Sequence, residues 1–297
     1  MIRIGSRESE LALWQAHRVK ALLEGQGHDC EIVKIKSRGD IVLDKPLYEL
    51  GVTGVFTKTL DLALLSGDID IAVHSMKDVP TLLPVGISEI AVLERGEVRD
   101  VLVKGEEGST VVATGSLRRR AQWLSRFPEH EIVGLRGNVN SRMRKLEDSS
   151  WHGAIFAKAG LERIGLLPES HEVLDWMVPA PAQGALIIVG RTEDVELAGA
   201  VGVLNNVEAQ MATGIERAFL RRLEGGCTAP IGALAEVDES GVKFTGVLNS
   251  LDGSVEIRVE KTAEDARVEL GAEWAEEILA NGGKELMVEI KKHFDGK

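Results

Sequence analysis

The 297-residue sequence predicts an α/β protein that ends in a small α+β segment, and three observations carry that prediction. Short apolar runs of strand length alternate with stretches in which apolar residues recur every three to four positions. That strand-then-helix series starts twice, once at Ile2 and again at Thr110 beyond the charged stretch Glu94 to Asp100. From about residue 206 the pattern changes to a helix, three period-2 runs and two more helices.

Ile2 to Gly5 reads as a strand; Ser9 is placed to cap a helix whose Ala12, Ala16, Val19 and Leu23 share one face, and Gly25 stops it. Glu31 to Lys36 alternates as a strand, Thr57 to Leu65 is a helix ended by Gly67, and Ile69 to Val73 is a short buried-type strand. Alternation of this kind implies a largely parallel sheet. The second series runs strand Thr110 to Thr114, helix through Trp123, strand Ile132 to Leu135, helix Asn140 to Leu146 and strand Ala154 to Ala157. Pro179-Ala180-Pro181-Ala182-Gln183-Gly184 then breaks the pattern and suits a chain crossing back between domains, with a cleft there. Val207 to Leu223 is a helix closed by Gly225-Gly226. Strands at Ile231 to Glu236, Val242 to Leu248 and Val255 to Glu260 follow, then helices from about Asp265 to Ala280 and Glu285 to Phe294. Three domains are expected: residues 1–95 with 184–203, residues 98–180, and residues 206–297.

At 44% apolar and 28% charged residues the chain has the composition of a soluble globular protein. A net charge of −12 opposes nucleic acid and anionic membranes, so an anionic ligand requires a local basic site. The N-terminus enters a strand at once with no signal-peptide core, and no apolar run reaches the roughly 20 residues that span a bilayer. Cys30 and Cys227 are far apart and lack the spacings of zinc or redox sites. The expectation is a cytoplasmic protein with no metal, no nucleic-acid partner and no membrane partner.

Between Thr114 and Lys145 eight arginines and lysines stand against two glutamates, inside an acidic protein. Arg118 and Arg119 follow one strand and Arg136 the next, which places them outside the carboxyl ends of strands, where α/β sheets bind ligands. Guanidinium forks match carboxylate or phosphate; the same residues also suit a solvated helix face with i, i+4 ion pairs. His74-Ser75-Met76-Lys77-Asp78-Val79-Pro80 lies after a strand as well. An aspartate there stabilises a developing cation if it lines a site, and is a surface turn before proline if it does not. His74 reads as a satisfied structural histidine. Cys227, after Gly225-Gly226, is either an exposed nucleophile or a small buried hydrophobe. Finally, Gly5-Ser6 and Gly115-Ser116 each follow the first strand of a series, a weak internal echo that would set two anion-friendly helix starts facing each other.

Taken in order, Arg7-x-Ser9-x-Leu11-Ala12-x-x-Gln15, His74 to Pro80, Ser116-Leu117-Arg118-Arg119, Leu135-Arg136-Gly137-Asn138 and Leu223-Glu224-Gly225-Gly226-Cys227 resemble the porphobilinogen deaminase family over nearly the whole chain. The resemblance implies two α/β domains similar to periplasmic solute-binding proteins flanking a cleft, plus a small α+β C-terminal domain. It implies a transferase that joins four porphobilinogen molecules head to tail, with loss of ammonia, onto a covalently attached dipyrromethane cofactor, and then releases the linear tetrapyrrole by hydrolysis. By position, Cys227 would carry the cofactor as a thioether and Asp78 would be catalytic. Ser75, Lys77, Asp78, Thr114, Ser116, Arg118 and Arg119 would bind the cofactor, and Arg7, Ser9, Arg136 and Arg142 the substrate or growing chain. A monomer is implied. Each pyrrole ring brings an acetate and a propionate, which gives the arginine cluster its reason. The sequence departs from the family pattern at Glu10, Thr53, Gly115 and Ala182, which bears on one carboxylate contact and on loop closure. The competing reading is a non-catalytic two-lobed anion-binding receptor.

Overall fold

The computed structural model describes residues 1–36, 57–223 and 229–295. In chain order the first elements are β1 (Ile2–Ser6), α1 (Glu10–Glu24), β2 (Cys30–Lys34), α2 (Lys58–Leu65), β3 (Ile71–Ser75) and β4 (Ile87–Val92). There follow β5 (Asp100–Lys104), β6 (Val111–Ala113), α3 (Leu117–Arg126), β7 (Glu131–Val133), α4 (Val139–Glu147), β8 (Gly153–Ala157), α5 (Lys158–Arg163) and β9 (His171–Val173). The last are β10 (Leu186–Arg191), α6 (Val195–Gly202), α7 (Val207–Arg222), β11 (Ile231–Asp238), β12 (Gly241–Asn249), β13 (Glu256–Ala263), α8 (Glu269–Ile278) and α9 (Lys284–Asp295). The described residues cluster into two units: residues 1–36, 57–96 and 184–210, and residues 97–183, 211–223 and 229–295.

In the first unit a five-stranded sheet runs β2-β1-β3-β10-β4. The expected periodicity of α1 holds: Ala12, Ala16, Val19 and Leu23 are buried, and the last three pack with Ile4, Ile71, Val73 and Ile188 in one core. Each fully buried Val or Leu there contributes roughly 2 kcal/mol. Ser9 caps the helix, its Oγ accepting from Ala12 N at 3.4 Å. At the other end Gly25 is still helical in backbone, and the left-handed residue is Gly27, at φ 86°.

The second unit holds another five-stranded sheet, β7-β6-β8-β5-β9, and a three-stranded antiparallel sheet, β11-β12-β13. One core of the five-stranded sheet gathers Val101, Val103, Ala113, Ala154 and Phe156 with Leu146 of α4 and Leu161 of α5; another gathers Leu102, Val112 and Ile155 with Trp123 of α3. The three-stranded sheet closes on Ile215 and Phe219 of α7 and on Leu270, Trp274 and Ile278 of α8. Two contacts tie this part to the preceding segment. The fully buried Glu216 accepts from Ala182 N at 2.6 Å and from Ala235 N at 2.7 Å, and the turn at Gly253 lies against the backbone of α3.

Neither five-stranded sheet is largely parallel, contrary to the sequence expectation. β10 is antiparallel to β3 and β4, and β5 is antiparallel to β8 and β9. The reason is topological: β10 and β5 reach their sheets from distant chain, not through a helical crossover, and only such a crossover enforces parallel pairing. β4, β5, β9, α5 and α6 were not anticipated. The internal echo, by contrast, extends to topology. In both sheets the first strand of the series lies between its second and third, all parallel, and an antiparallel strand follows the third.

Candidate functional site

In the first unit β1, β2 and β3 are parallel, so their carboxyl ends share one edge of the sheet. Arg7 and Ser9 follow β1 there. Ser75 ends β3, and Met76–Asp78 forms one turn of 3₁₀ helix directly after it. Two buried side chains, Met76 at 1% exposure and Val79 at 5%, anchor this turn from both sides. Its backbone is pinned by Met76 N donating to Ala185 O at 3.0 Å and Val79 N donating to Met76 O at 3.1 Å. The turn thereby presents Lys77 partly exposed and Asp78 exposed. Gln15, buried on α1, donates from Nε2 to Ser75 Oγ at 2.7 Å and fixes the residue before the turn.

His74 departs from its expected role as a satisfied histidine. It is buried, and its Nε2 has no hydrogen-bond partner among the described residues. Burial, with a smaller contribution from the Arg7 charge, lowers its pKa to about 4, so at neutral pH it is an uncharged imidazole.

In the second unit β6, β7 and β8 are parallel and again share a carboxyl edge. Ser116 caps α3 by accepting from Arg119 N at 3.4 Å, and Asn138 caps α4 by accepting from Ser141 N at 2.9 Å. Thr114 Oγ1 accepts from Ser116 N at 3.2 Å and stiffens the turn between β6 and α3. At Gly115 a Cβ would stand 2.5 Å from Leu135 O, so the two loops approach more closely than a side chain permits. Arg142 Nε donates to Gly137 O at 2.7 Å. Arg136 is partly buried, which pushes its guanidinium pKa down.

Arg118 and Arg119 turn inward, with exposures of 4% and 6%. Both meet the fully buried Asp100: Arg118 Nη2 lies 2.7 Å from Oδ2 and Arg119 Nη2 2.8 Å from Oδ1. Arg118 Nη1 also donates to Val178 O at 2.8 Å, and Arg119 Nη1 to Ile155 O at 2.9 Å. Gln183 Nε2 reaches Asp100 Oδ1 at 2.9 Å. Desolvation lowers the Arg118 pKa, and Asp100 opposes that shift. Removing one partner from such a buried pair costs about 3–5 kcal/mol. Two buried guanidinium cations against one carboxylate leave a positive excess, and Arg118 Nε is buried with no hydrogen-bond partner among the described residues. The guanidinium and hydroxyl groups at this edge therefore suit a ligand bearing carboxylates.

Sequence reasoning missed the role of Asp100, and quoted Gln15 and Gln183 without giving either a role. The available signal for Asp100 was an acidic residue opening the apolar run Val101-Leu102-Val103, since a carboxylate entering a buried strand requires a partner. Cys227, Thr53 and the Gly225-Gly226 pair lie outside the described residues. Cys30 is buried. Among the described residues no group of three or more His, Cys, Asp or Glu stands where it could hold a metal ion, and no helix is long and apolar enough to cross a membrane.

Residues 2–199 match the family model of the porphobilinogen deaminase dipyromethane cofactor binding domain, and residues 209–280 that of the porphobilinogen deaminase C-terminal domain. A porphobilinogen deaminase of Geotalea daltonii is 42% identical over 300 residues, 97% of this chain and 94% of that one. One of Chlorobium phaeobacteroides is 40% identical over 305 residues, 97% of each chain, and one of Desulforamulus reducens 41% over 303, 98% of each. A weaker likeness among solved structures, with a TM-score of 0.45 and 17% identity over 68% of this chain and 89% of the other, is to the methionine binding protein MetQ. The receptor alternative gains no support from the family matches. With both family models matched in order and relatives aligned over nearly their whole length, the chain belongs to the porphobilinogen deaminase family.

Proposed function

We propose that this chain is a transferase that condenses four porphobilinogen molecules head to tail, releases one ammonia at each step, and hydrolyses the linear tetrapyrrole from its attachment. The observation that carries the reading is the Met76–Asp78 turn, which holds a lysine and a carboxylate at the carboxyl edge of the parallel strands β1, β2 and β3 inside the family's cofactor-binding domain.

The positive excess at Arg118 and Arg119, and the orphaned Arg118 Nε, fit the carboxylates of a dipyrromethane. When bound, this group supplies the free pyrrole carbon onto which the first unit is joined. Cys227 would hold it through a thioether, with Ser75, Lys77, Asp78, Thr114, Ser116, Arg118 and Arg119 around it. Arg7, Ser9, Arg136 and Arg142 would bind the carboxylates of the incoming substrate and growing chain. As the aminomethyl nitrogen of porphobilinogen leaves with its bonding pair, the substrate methylene becomes electron-poor and conjugated with its own pyrrole. The Asp78 carboxylate accepts from that pyrrole N–H and lowers the energy of the cation. A carbon–carbon bond then forms to the growing chain, and the attacking ring carbon loses its proton. The cationic and hydroxyl groups named above would hold the reactants in register for this step.

We further propose the three-domain assignment of residues 1–95 with 184–203, 98–180 and 206–297, a monomeric state, and a cytoplasmic location. Intact-protein mass spectrometry tests the chemistry. The recombinant chain should exceed its sequence mass by one dipyrromethane, Cys227→Ser should not, and Asp78→Ala should keep the adduct while losing at least a hundredfold in turnover of porphobilinogen. A bare wild-type mass from a host that makes porphobilinogen refutes the cofactor assignment, and normal turnover in Asp78→Ala refutes the role of the aspartate.

A further inference from the structure

We infer that Asp100 is the positioning residue that sets Arg118 and Arg119 for the carboxylates of the dipyrromethane, an inference that rests on the function proposed above. Arg118 and Arg119 are consecutive on α3, and side chains at i and i+1 of a helix point about 100° apart and do not face each other. A common acceptor is needed to bring the two forks together. Asp100 is that acceptor. One carboxylate oxygen takes Arg119 Nε at 3.1 Å and Nη2 at 2.8 Å, and the other faces Arg118 Nη2 at 2.7 Å.

The placement of Asp100 follows from strand register. It is the first residue of β5 and pairs with Ala157, the last residue of β8, so it stands at the carboxyl edge of the parallel strands although its own strand runs the other way. Gln183 ties the same carboxylate to the crossing segment at 2.9 Å, and Arg118 and Gln122 both hold Val178 O, at 2.8 and 3.0 Å. The two guanidiniums are thus fixed by one anion and two backbone carbonyls before any ligand arrives. Asp100 leaves one of the two positive charges unbalanced, which a ligand carboxylate would neutralise. With an amide at this position the negative charge and one of the two acceptor oxygens would be lost, an NH2 would face one fork, and the two guanidiniums would repel each other.

The test compares Asp100→Asn and Asp100→Glu with Leu102→Ala, a core change two positions along the same strand that removes no charge or hydrogen-bonding group. The fraction of chains carrying the adduct is read by intact mass, and Tm and the KM and kcat for porphobilinogen are read in parallel. The expected result is a fall in adduct fraction of at least tenfold for Asp100→Asn and two- to fivefold for Asp100→Glu, where the charge is kept but set one methylene further out. Leu102→Ala should stay within twofold of wild type despite its lowered Tm. Should Asp100→Asn fail to fold, Asp100→Glu decides: wild-type adduct fraction and KM in a folded Asp100→Glu would overturn the inference. So would an adduct loss in Leu102→Ala that matches its Tm loss. A wild type with no adduct would instead overturn the proposed function on which the inference rests.

Discussion

Acidification should destabilise the first unit through His74. The imidazole is buried at the end of β3 with an orphaned Nε2 and the Arg7 charge nearby, and its pKa is held at about 4 against an ordinary 6.5. The unfolded chain takes up a proton near pH 6.5 and the folded chain does not until about pH 4. Between those values the unfolded state binds more protons, so stability is highest above pH 6.5, falls as the pH drops toward 4, and changes no further from this group below that. At pH 5 the loss comes to about 2 kcal/mol. Two measurements check it. Imidazole carbon shifts in an NMR titration, with His74→Gln to identify the resonance, should show one histidine titrating near pH 4. Urea unfolding at pH 7.5 and 5 should show a drop in stability about 2 kcal/mol larger in the wild type than in His74→Gln. A His74 resonance that titrates above pH 6, or equal drops in the two proteins, would refute the reasoning.

Two further expectations concern backbone. Gly253 is at φ 76°, and a Cβ there would lie 2.3 Å from Ala121 O and 2.6 Å from Ser125 N, so Gly253→Ala should cost about 2–4 kcal/mol in urea unfolding; a change under about 0.5 kcal/mol would contradict the close contact with α3. Ala182 is the one described non-glycine residue at positive φ, 63°; Ala182→Gly should raise stability by about 1 kcal/mol, and a loss of stability would show that its methyl group packs better than its backbone suffers.

The family motifs led to residues at the carboxyl edges of both sheets, but their partners were not legible in the same way. Ser9, Ser116 and Asn138 act within three residues of themselves, so their cap roles can be read from local letters. Arg118 and Arg119 were read as ligand-facing because they follow a strand, and the structure turns both inward to Asp100. That aspartate lies 19 residues before Arg119 and 83 before Gln183, at the end of the charged stretch Glu94 to Asp100. His74 looked satisfied because a histidine's partners cannot be read from its neighbours in sequence.

Features that depend on neighbours a few positions apart are legible in the letters alone: the amphipathic face of α1, the helix caps, the period-2 strands β11 to β13, and the turn that lifts Lys77 and Asp78 between two buried anchors. Strand direction in the mixed sheets and the pairing of Asp100 with two arginines emerge only once the chain is folded. Periodicity reports which side of an element is buried, whereas direction and charge pairing depend on where distant chain enters the sheet, and an inward-turned arginine is fixed by a carboxylate that register, not sequence distance, brings beside it.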